Sequence, residues 1–255
     1  NTYNTAVGAN AGNQVTTGIR NTLIGGIAGD SLTDADYNTA IGFDALGTDT
    51  LGSGSVAIGY LERQNFVTAT TSYNVAVGYN TGENITTGLR NTILGGLAGD
   101  ALTDADDNVA LGMDALSADT LGSKTVAIGK GALNVQNFTT ATNTYNTAVG
   151  YQAGTAVSTG VRNTLIGGLS GDAITTGIRN TTLGYFSGGS FDVGSYNVAV
   201  GDNALATDSK GSTAVAIGYG TLASQNFTTA TNNYNIGIGY NAGSAVTTGT
   251  INTLI

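Results

Sequence analysis

The chain has 255 residues, of which 40 are glycine, 40% are hydrophobic and 10% are charged, and it contains no proline, cysteine, histidine or tryptophan. Its formal net charge of −9 repels phosphate backbones, and its eight lysine and arginine residues are scattered, so we expect no nucleic-acid partner. Catalytic or metal sites built on cysteine or histidine are excluded, and no apolar run is long enough to predict membrane insertion.

A pentapeptide of the form Asn-Thr/Val-Ala-Val/Ile/Leu-Gly recurs along the whole chain. It begins at residues 4, 21, 38, 55, 74, 91, 108, 125, 146, 163, 180, 197, 214, 235 and, cut short, 252. Eleven of the fourteen steps are 17 residues long, and the other three are 19, 21 and 21. Self-similarity at a constant period is typical of repeat architectures, so we predict about fifteen coils of 17 residues.

The coils are grouped into larger blocks within one repeat array, 1–255. Tyrosines mark the block starts, which gives blocks 3–72, 73–144 and 145–233 and a partial block 234–255. The third block has one extra coil, which a solenoid tolerates because each coil contacts only its neighbours. Uncapped ends would expose unpaired strand edges, so we expect the natural chain to extend beyond both ends.

Each coil is predicted to begin with a short strand. Thr5-Ala6-Val7 shows the two-residue alternation of a strand, and Gly8 ends it. We expect a second strand after this glycine, then one aliphatic residue and a Thr-Thr-Gly turn that returns the chain. The absence of Asn-Gly dipeptides disfavours tight hairpins, so the coils should stack in parallel. The predicted fold class is all-β, a parallel β-solenoid or β-roll.

Asparagine occupies the first position in twelve of the fifteen units. Stacked asparagines can form a hydrogen-bonded ladder from coil to coil, although each could instead support only a local turn. Both interpretations are structural. The predicted structural ladder contains Asn4, Asn21, Asn38, Asn74, Asn91, Asn108, Asn146, Asn163, Asn180, Asn197, Asn235 and Asn252.

Small apolar residues follow two positions after the asparagine column. We expect them on the outward face of the strand, between aliphatic residues that point inward. A strand that is apolar on both faces is normally covered on both, so this stripe predicts a homotrimer around a threefold axis. The alternative is a lone solenoid with an alanine-rich surface. The predicted trimer-facing stripe is Ala6, Ala40, Ala57, Ala76, Ala110, Ala127, Ala148, Ala199 and Ala216.

Carboxylates cluster in the turns of two coils. They could bind Ca²⁺ through oxygen ligands, but their spacing is not that of an EF-hand, which favours a solvated acidic turn. We therefore expect no cofactor and no metal. Short regular coils also leave no long loop from which to build a glycosidase cleft, so we expect no enzyme activity. The weak calcium candidates are Asp30, Asp34, Asp36, Asp100, Asp104 and Asp106, with Asp107 beside them.

The three longer coils carry a second recurring phrase, Gln-Asn-Phe, followed by threonine-rich sequence. These inserts are the most irregular features of the array and hence the candidate surface-contact segments. They could form a bulge that contacts a receptor or a plug that seals the interior of a trimer. Their aromatic residues are Phe66, Phe138 and Phe227.

Tyrosine and arginine alternate in the column that precedes the asparagines. Arg20 and Tyr37 lie one period apart, and the same pairing recurs at Arg179 and Tyr196. Such planar groups could stack on sugars. Stacking on each other is the structural alternative, which we favour.

Four units carry a family resemblance. SVAIG at 55–59, TVAIG at 125–129 and AVAIG at 214–218 resemble the head repeat of YadA-like trimeric autotransporter adhesins, and NTAVGYQAG at 146–154 is similar to repeats of phage tail fibre proteins. The resemblance implies a left-handed parallel β-roll and three chains wound about one axis. It also implies an extracellular location, on a virion or cell surface, where the chain contacts a glycan or protein receptor.

Two other functions compete with this interpretation. A self-assembling extracellular filament would use the same stacked coils end to end. An ice-binding solenoid would need a flat rank of threonines on consecutive coils, and the Thr-Thr-Gly pairs are interrupted at the coils that begin at residues 38 and 55. The sequence therefore favours a structural and adhesive fibre segment.

Overall fold

A computed structural model describes residues 3–61, 65–66 and 68–255. Over these residues the chain is all-β and contains no helix, so no described helix could cross a membrane. The fold is a parallel β-solenoid of about 14 turns with a spacing of about 17 residues. This confirms the predicted fold class.

The strands are short, and most have three residues. In chain order the described strands are β1 (Thr5–Val7), β2 (Thr22–Ile24), β3 (Thr39–Ile41), β4 (Gly52–Ser53), β5 (Val56–Tyr60), β6 (Thr70–Thr71), β7 (Val75–Tyr79), β8 (Thr92–Leu94), β9 (Val109–Leu111), β10 (Gly122–Ser123), β11 (Val126–Ile128), β12 (Thr142–Asn143), β13 (Thr147–Val149), β14 (Thr164–Ile166), β15 (Thr181–Leu183), β16 (Val198–Val200), β17 (Gly211–Ser212), β18 (Val215–Ile217), β19 (Thr231–Asn232), β20 (Ile236–Ile238) and β21 (Thr253–Leu254).

The chain divides into two compact units, Asn1–Lys124 with Phe138–Asn143, and Thr125–Asn137 with Thr144–Ile255. In the first unit the main ladder runs β1-β2-β3-β5-β7-β8-β9. In the second it runs β11-β13-β14-β15-β16-β18-β20-β21. Pairing is parallel and joins equivalent residues of successive coils, as in Ala40 with Ala57, so like residues form vertical rows.

Each unit also contains short side ladders where a longer coil begins. The pairs are β4 with β6 and β10 with β12 in the first unit, and β17 with β19 in the second. They bring the threonine-rich end of each insert back into parallel pairing before the next asparagine position. The extra residues of the inserts therefore do not disturb the main ladder.

The glycine that ends each main strand allows close stacking. Gly42 has a φ of +133°, and a Cβ at this position would collide with the carbonyl oxygen of Gly59 in the next coil. An L side chain could adopt neither this φ nor this approach without strain. The recurrence of glycine in this column follows from that packing.

The predicted second strand after this glycine is wrong. Residues 8–14 form consecutive turns instead, and Asn10 and Gly12 there have φ values of +58° and +62°. Left-handed residues at alternate positions bend the backbone and prevent an extended strand. The turns still stack between coils, because the Gly12 N–H donates a hydrogen bond to the carbonyl of Ala28 at 2.9 Å.

The core is narrow, and its side chains complement each other in volume. Where the middle residue of the main strand is large, as at Leu23, the residue six positions later is Gly29, and a Cβ there would lie 2.8 Å from Cδ2 of Leu23. Where the middle residue is Ala40, the residue six positions later is Leu46. Leu23, Ala40 and Leu46 are all buried in one cluster. Such compensation keeps the interior close-packed from coil to coil.

Candidate surface-contact site

The outward face of the main sheet is apolar. The third residue of each main strand points away from the core and is partly or well exposed, and we call this row the aliphatic column. Beside it on the same face lies a row of threonine, valine and isoleucine. The aliphatic column is Val7, Ile24, Ile41, Ile58, Val77, Leu94 and Leu111 in the first unit, and Ile128, Val149, Ile166, Leu183, Val200, Ile217 and Ile238 in the second.

The predicted trimer-facing alanine stripe is wrong. Eight of its nine members are completely buried inside their own coils, namely Ala40, Ala57, Ala76, Ala110, Ala127, Ala148, Ala199 and Ala216, whereas Ala6 of the first strand is exposed. The reason is the shallow interior, where side chains from the opposite turns already fill the space above the sheet. Small residues therefore point inward, and the larger aliphatic residues on either side of them point outward.

Asparagine side chains join successive coils. Oδ1 of Asn21 accepts a hydrogen bond from the backbone N–H of Asn38 at 2.9 Å, and Nδ2 of Asn21 donates to the carbonyl of Ala35 at 2.7 Å. The same pattern links Asn163 to Asn180 at 2.9 Å. The amide thus connects side chain to backbone in most coils, and direct contact between two amides is added at a few, such as Asn74 with Asn91 at 3.3 Å.

Glutamine side chains support this row in the second unit, where asparagine is replaced. At Ala214 the backbone N–H still donates to Oδ1 of Asn197 at 2.9 Å, but alanine has no side-chain amide to bond to the next coil. Oε1 of Gln225 accepts from Nδ2 of Asn235 at 2.7 Å. Gln136 gives the same contact to Asn146 at 2.8 Å. The inserts therefore supply buried hydrogen-bonding groups as well as apolar ones.

The weak calcium candidates make contacts between coils. Oδ1 of Asp36 accepts from the backbone N–H of Ile19 at 2.8 Å, and Asp106 accepts equivalently from Leu89 at 2.7 Å. Asp34 and Asp104 each accept from the threonine hydroxyl one coil earlier at 2.5 Å. Among residues 3–61, 65–66 and 68–255, no group of three acidic side chains is placed to hold a metal ion.

Burial and charge act on the carboxylates in opposite directions. Burial raises the pKa of Asp30 and Asp100 above the usual range. The Arg90 guanidinium, which donates a hydrogen bond to Asp107 at 2.6 Å, holds the pKa of that carboxyl below its usual range. Arg90 also contacts Asp106 at 3.3 Å. These pairs are exposed and contribute little stability.

The insert phenylalanines are not surface-contact residues, which corrects that prediction. Phe66, Phe138 and Phe227 are only 1%, 7% and 6% exposed. Their apolar rings are buried, and their backbones form hydrogen bonds with the preceding coil. The carbonyl of Phe66, for example, accepts from the N–H of Leu51 at 3.0 Å. Gln64 lies outside the described residues.

Arginine and tyrosine stack on each other in the column before the asparagines. The guanidinium carbon of Arg20 lies 5.2 Å from the ring centroid of Tyr37, and that of Arg179 lies 5.2 Å from the ring centroid of Tyr196. In each pair Nη1 of the arginine donates a hydrogen bond to the tyrosine hydroxyl. Each arginine therefore covers one face of the tyrosine ring and holds its orientation.

A cleft opens in this column on the other side of Tyr37. In the next coil the equivalent residue is Gly54, which has no side chain, and in the coil after that it is Tyr73. The backbone N–H of Gly54 donates to the carbonyl of Asp36 at 2.9 Å, and the N–H of Ser72 donates to the carbonyl of Ser53 at 2.8 Å, so the three positions lie on successive rungs. We call this feature the tyrosine cleft, with a volume of about 340 Å³ and a lining of Asp36, Tyr37, Ser53, Gly54, Thr71 and Tyr73.

Sequence reasoning missed one further surface feature, a stack of exposed aromatic rings. The ring centroids of Phe43 and Tyr60 are 5.6 Å apart, and those of Tyr60 and Tyr79 are also 5.6 Å apart with nearly parallel planes. Tyr219 and Tyr240 stack similarly at 5.4 Å. The signal was available, because all five residues directly follow the glycine of the repeated pentapeptide.

These features define the chain as a parallel β-solenoid with an apolar outward sheet face and aromatic rows at its corners. No protein-family model matches the chain, and no curated protein is significantly similar to it.

Proposed function

We propose that this chain is a structural and adhesive fibre segment without catalytic activity. In this proposal three copies wind about one axis as left-handed β-rolls, outside the cell on a virion or cell surface. The observation that carries the proposal is the aliphatic column, an apolar row repeated at every coil of each unit. A role in contacting host cells is supported by the resemblance of the SVAIG-type units to trimeric adhesin heads.

The outward sheet face needs a cover. Parallel sheets are normally buried on both faces, and here the chain itself covers only the inner one. Leu94 and Leu183 of the aliphatic column are 39% and 44% exposed. Contiguous apolar surface of this kind marks an association site, since exposing it to water is unfavourable.

Further copies of the same chain are the partners that fit this face best. The apolar row advances by one rung per coil, so a surface with the same rung spacing can place apolar groups opposite it along its whole length. Another copy in parallel alignment has that spacing. A cyclic arrangement of three such faces encloses the aliphatic columns around the common axis, and closed symmetry prevents indefinite growth.

The mass of the particle in solution tests this proposal. Analytical ultracentrifugation should give three times the chain mass of 25.4 kDa, and electron microscopy should show rods of one length. A stable particle of 25.4 kDa would contradict the trimer, and filaments of indefinite length would favour the self-assembling alternative. Adsorption of the folded trimer to intact cells tests adhesion separately, and a trimer that adsorbs to none would be a structural segment alone.

Two leucines of one coil provide a matched pair of variants. Leu94 lies in the aliphatic column and is 39% exposed, whereas Leu97 lies on the adjoining turn and is 37% exposed. The turn row of Leu97 carries polar residues at Asn80 and Asp114 in the neighbouring coils. We expect Leu94→Glu to dissociate the trimer, because it would bury an unpaired charge at the interface.

Leu97→Glu is the control and should leave the mass unchanged. Circular dichroism would show whether both variants are folded. Equal dissociation of the two variants, or of neither, would contradict an interface on the outward sheet face.

A further inference from the structure

The tyrosine cleft is built to receive a flat-sided guest. Tyr37 and Tyr73 lie two rungs apart, a separation of about 9.6 Å at about 4.8 Å per rung. Their side chains are 54% and 66% exposed, and Gly54 leaves the rung between them open. The cleft lies within a single chain and within the first compact unit.

One wall of the cleft is already oriented without a guest. The Arg20 guanidinium covers one face of Tyr37, so the opposite face is directed toward the rung of Gly54. On the other side, a Cβ at position 54 would lie 3.7 Å from Cδ1 of Tyr73, which places that ring beside the open rung. A wall that is ordered in advance lowers the entropic cost of binding.

The walls of the cleft present aromatic faces to a guest. The two faces of a saturated six-membered ring carry C–H groups, and the negative face of an aromatic ring attracts such groups. A pyranose also carries hydroxyl groups around its edge, which a plain aromatic ring lacks.

Polar groups line the floor of the cleft. Asp36 uses Oδ1 to accept from the Ile19 N–H at 2.8 Å, and Ser53 Oγ accepts from the Asp36 N–H at 2.9 Å. The second oxygen of Asp36 can therefore accept, and the hydroxyls of Ser53 and Thr71 can donate. These are the partners of sugar hydroxyls. The carboxylate disfavours an anionic sugar, since like charges repel.

We propose that the tyrosine cleft binds a neutral pyranose unit of a cell-surface glycan, held between Tyr37 and Tyr73 above Gly54. The assignment rests on the proposed adhesive function and names its ligand class. It requires the open rung, and the third block lacks one. There Arg179 stacks on Tyr196 in the same way, but Thr213 stands where Gly54 stands in the first block.

Binding to the full chain is measured by saturation-transfer NMR and by titration. The probes are the methyl glycosides of glucose, galactose, mannose and N-acetylglucosamine, with sialic acid as the anionic comparison. At least one neutral glycoside should bind at millimolar concentration. Tyr73→Ala should weaken binding by about tenfold, because it removes one stacking face. Tyr234→Ala, the equivalent change in the third block, is the control and should have no effect.

Gly54→Thr separates loss of the cleft from loss of the fold. Thr213 and Lys124 occupy the same position of the repeat with φ values of +67° and +61°, close to the +73° of Gly54, so the backbone there accepts a side chain. A Cβ at position 54 would lie 3.2 Å from Cγ2 of Thr71, whose exposed side chain can shift to make room. We expect this variant to be folded and not to bind. Failure of every neutral glycoside to bind, or binding that survives Gly54→Thr, would overturn the assignment.

The mass of the same samples distinguishes the two proposals. A trimer that binds no sugar would overturn the glycan assignment and leave the fibre proposal standing. A single chain that binds a neutral glycoside through Tyr73 would overturn the trimer and leave the cleft standing.

Discussion

The coils that precede the first and third inserts place an aspartate at the same buried core position. Oδ1 of Asp208 accepts from the N–H groups of Gly211 at 2.9 Å and Phe227 at 3.1 Å, and Oδ2 accepts from Nε2 of Gln225 at 2.6 Å. Asp49 accepts from the Gly52 N–H at 2.8 Å through Oδ1, but among the described residues no donor reaches its Oδ2.

At Asp208 three donors reach the buried carboxylate, and one of them comes from the insert. Gln64, the counterpart of Gln225 in the first insert, lies outside the described residues. Asp49 and Asp208 are both fully buried. Burial raises the pKa of Asp49 to about 7, because the charged form has lost water and the backbone N–H groups near the carboxylate, led by that of Gly52, offset this loss only in part. A carboxylate in this row is well accommodated where a donor reaches each oxygen, as at Asp208.

The largest expected effect is a pH dependence caused by Asp49. Its folded-state pKa is raised, so the folded state holds the Asp49 proton more tightly than the unfolded state does. The resulting contribution to the free energy of unfolding is fully present below the unfolded pKa of 3.8 and is lost as pH rises through about 7. The free energy of unfolding should fall by up to about 4 kcal/mol over that interval. Asp49→Asn should remove this part of the pH dependence.

Denaturant titrations of the wild type and Asp49→Asn at several pH values provide the measurement. Asp208→Asn is the matched comparison in the coil that precedes the third insert. Parallel pH profiles for the wild type and Asp49→Asn would show that Asp49 is not destabilised by burial.

A smaller effect is expected from the donor in the third insert. Gln225→Met would remove the group that donates to Asp208 and the group that accepts from Nδ2 of Asn235, while keeping most of the side-chain volume. Oδ2 of Asp208 and one of the two Nδ2 hydrogens of Asn235 would then lack a partner, although Nδ2 would still donate to the carbonyl of Gly249, and the change should cost about 3 kcal/mol. Denaturant titration measures the loss, and a variant as stable as the wild type would contradict the role of Gln225 as the partner of the carboxylate.

The smallest effect is expected for an exchange at the open rung. Gly54→Thr and Thr213→Gly interchange the residues that distinguish the first block from the third, and both positions have left-handed φ values. A side chain at a left-handed φ strains the folded state, whereas glycine adds conformational entropy to the unfolded state. These two effects oppose each other, so each change should alter stability by less than about 1 kcal/mol. Thermal unfolding measures this directly. A loss of several kcal/mol in Gly54→Thr would mean that the cleft position cannot accept a side chain.

Much of the fold followed from the sequence. The 17-residue spacing predicted parallel stacking, which places the Asn38 N–H 2.9 Å from Oδ1 of Asn21. Stacking of Arg20 on Tyr37 was also favoured over a role in binding sugars, and the Arg20 guanidinium does lie over the Tyr37 ring. These predictions needed only that residues at equal spacing lie above one another.

Other features did not follow from the sequence. Alternation in Thr39-Ala40-Ile41 indicates two faces but not which one is inside, and the size of the side chains suggested the wrong answer. The position of Phe66 under its insert, and the opening at Gly54, depend on how a longer coil returns to the ladder. Left-handed winding and trimer formation remain predictions.

By itself the sequence determined the period, the parallel register and the identity of each row, because a residue repeated at constant spacing must meet its counterpart one rung away. The tertiary structure decided which rows are buried. The interior is filled jointly from the sheet, the opposite turn and the neighbouring coils, so alanine points inward wherever leucine already occupies the space across from it.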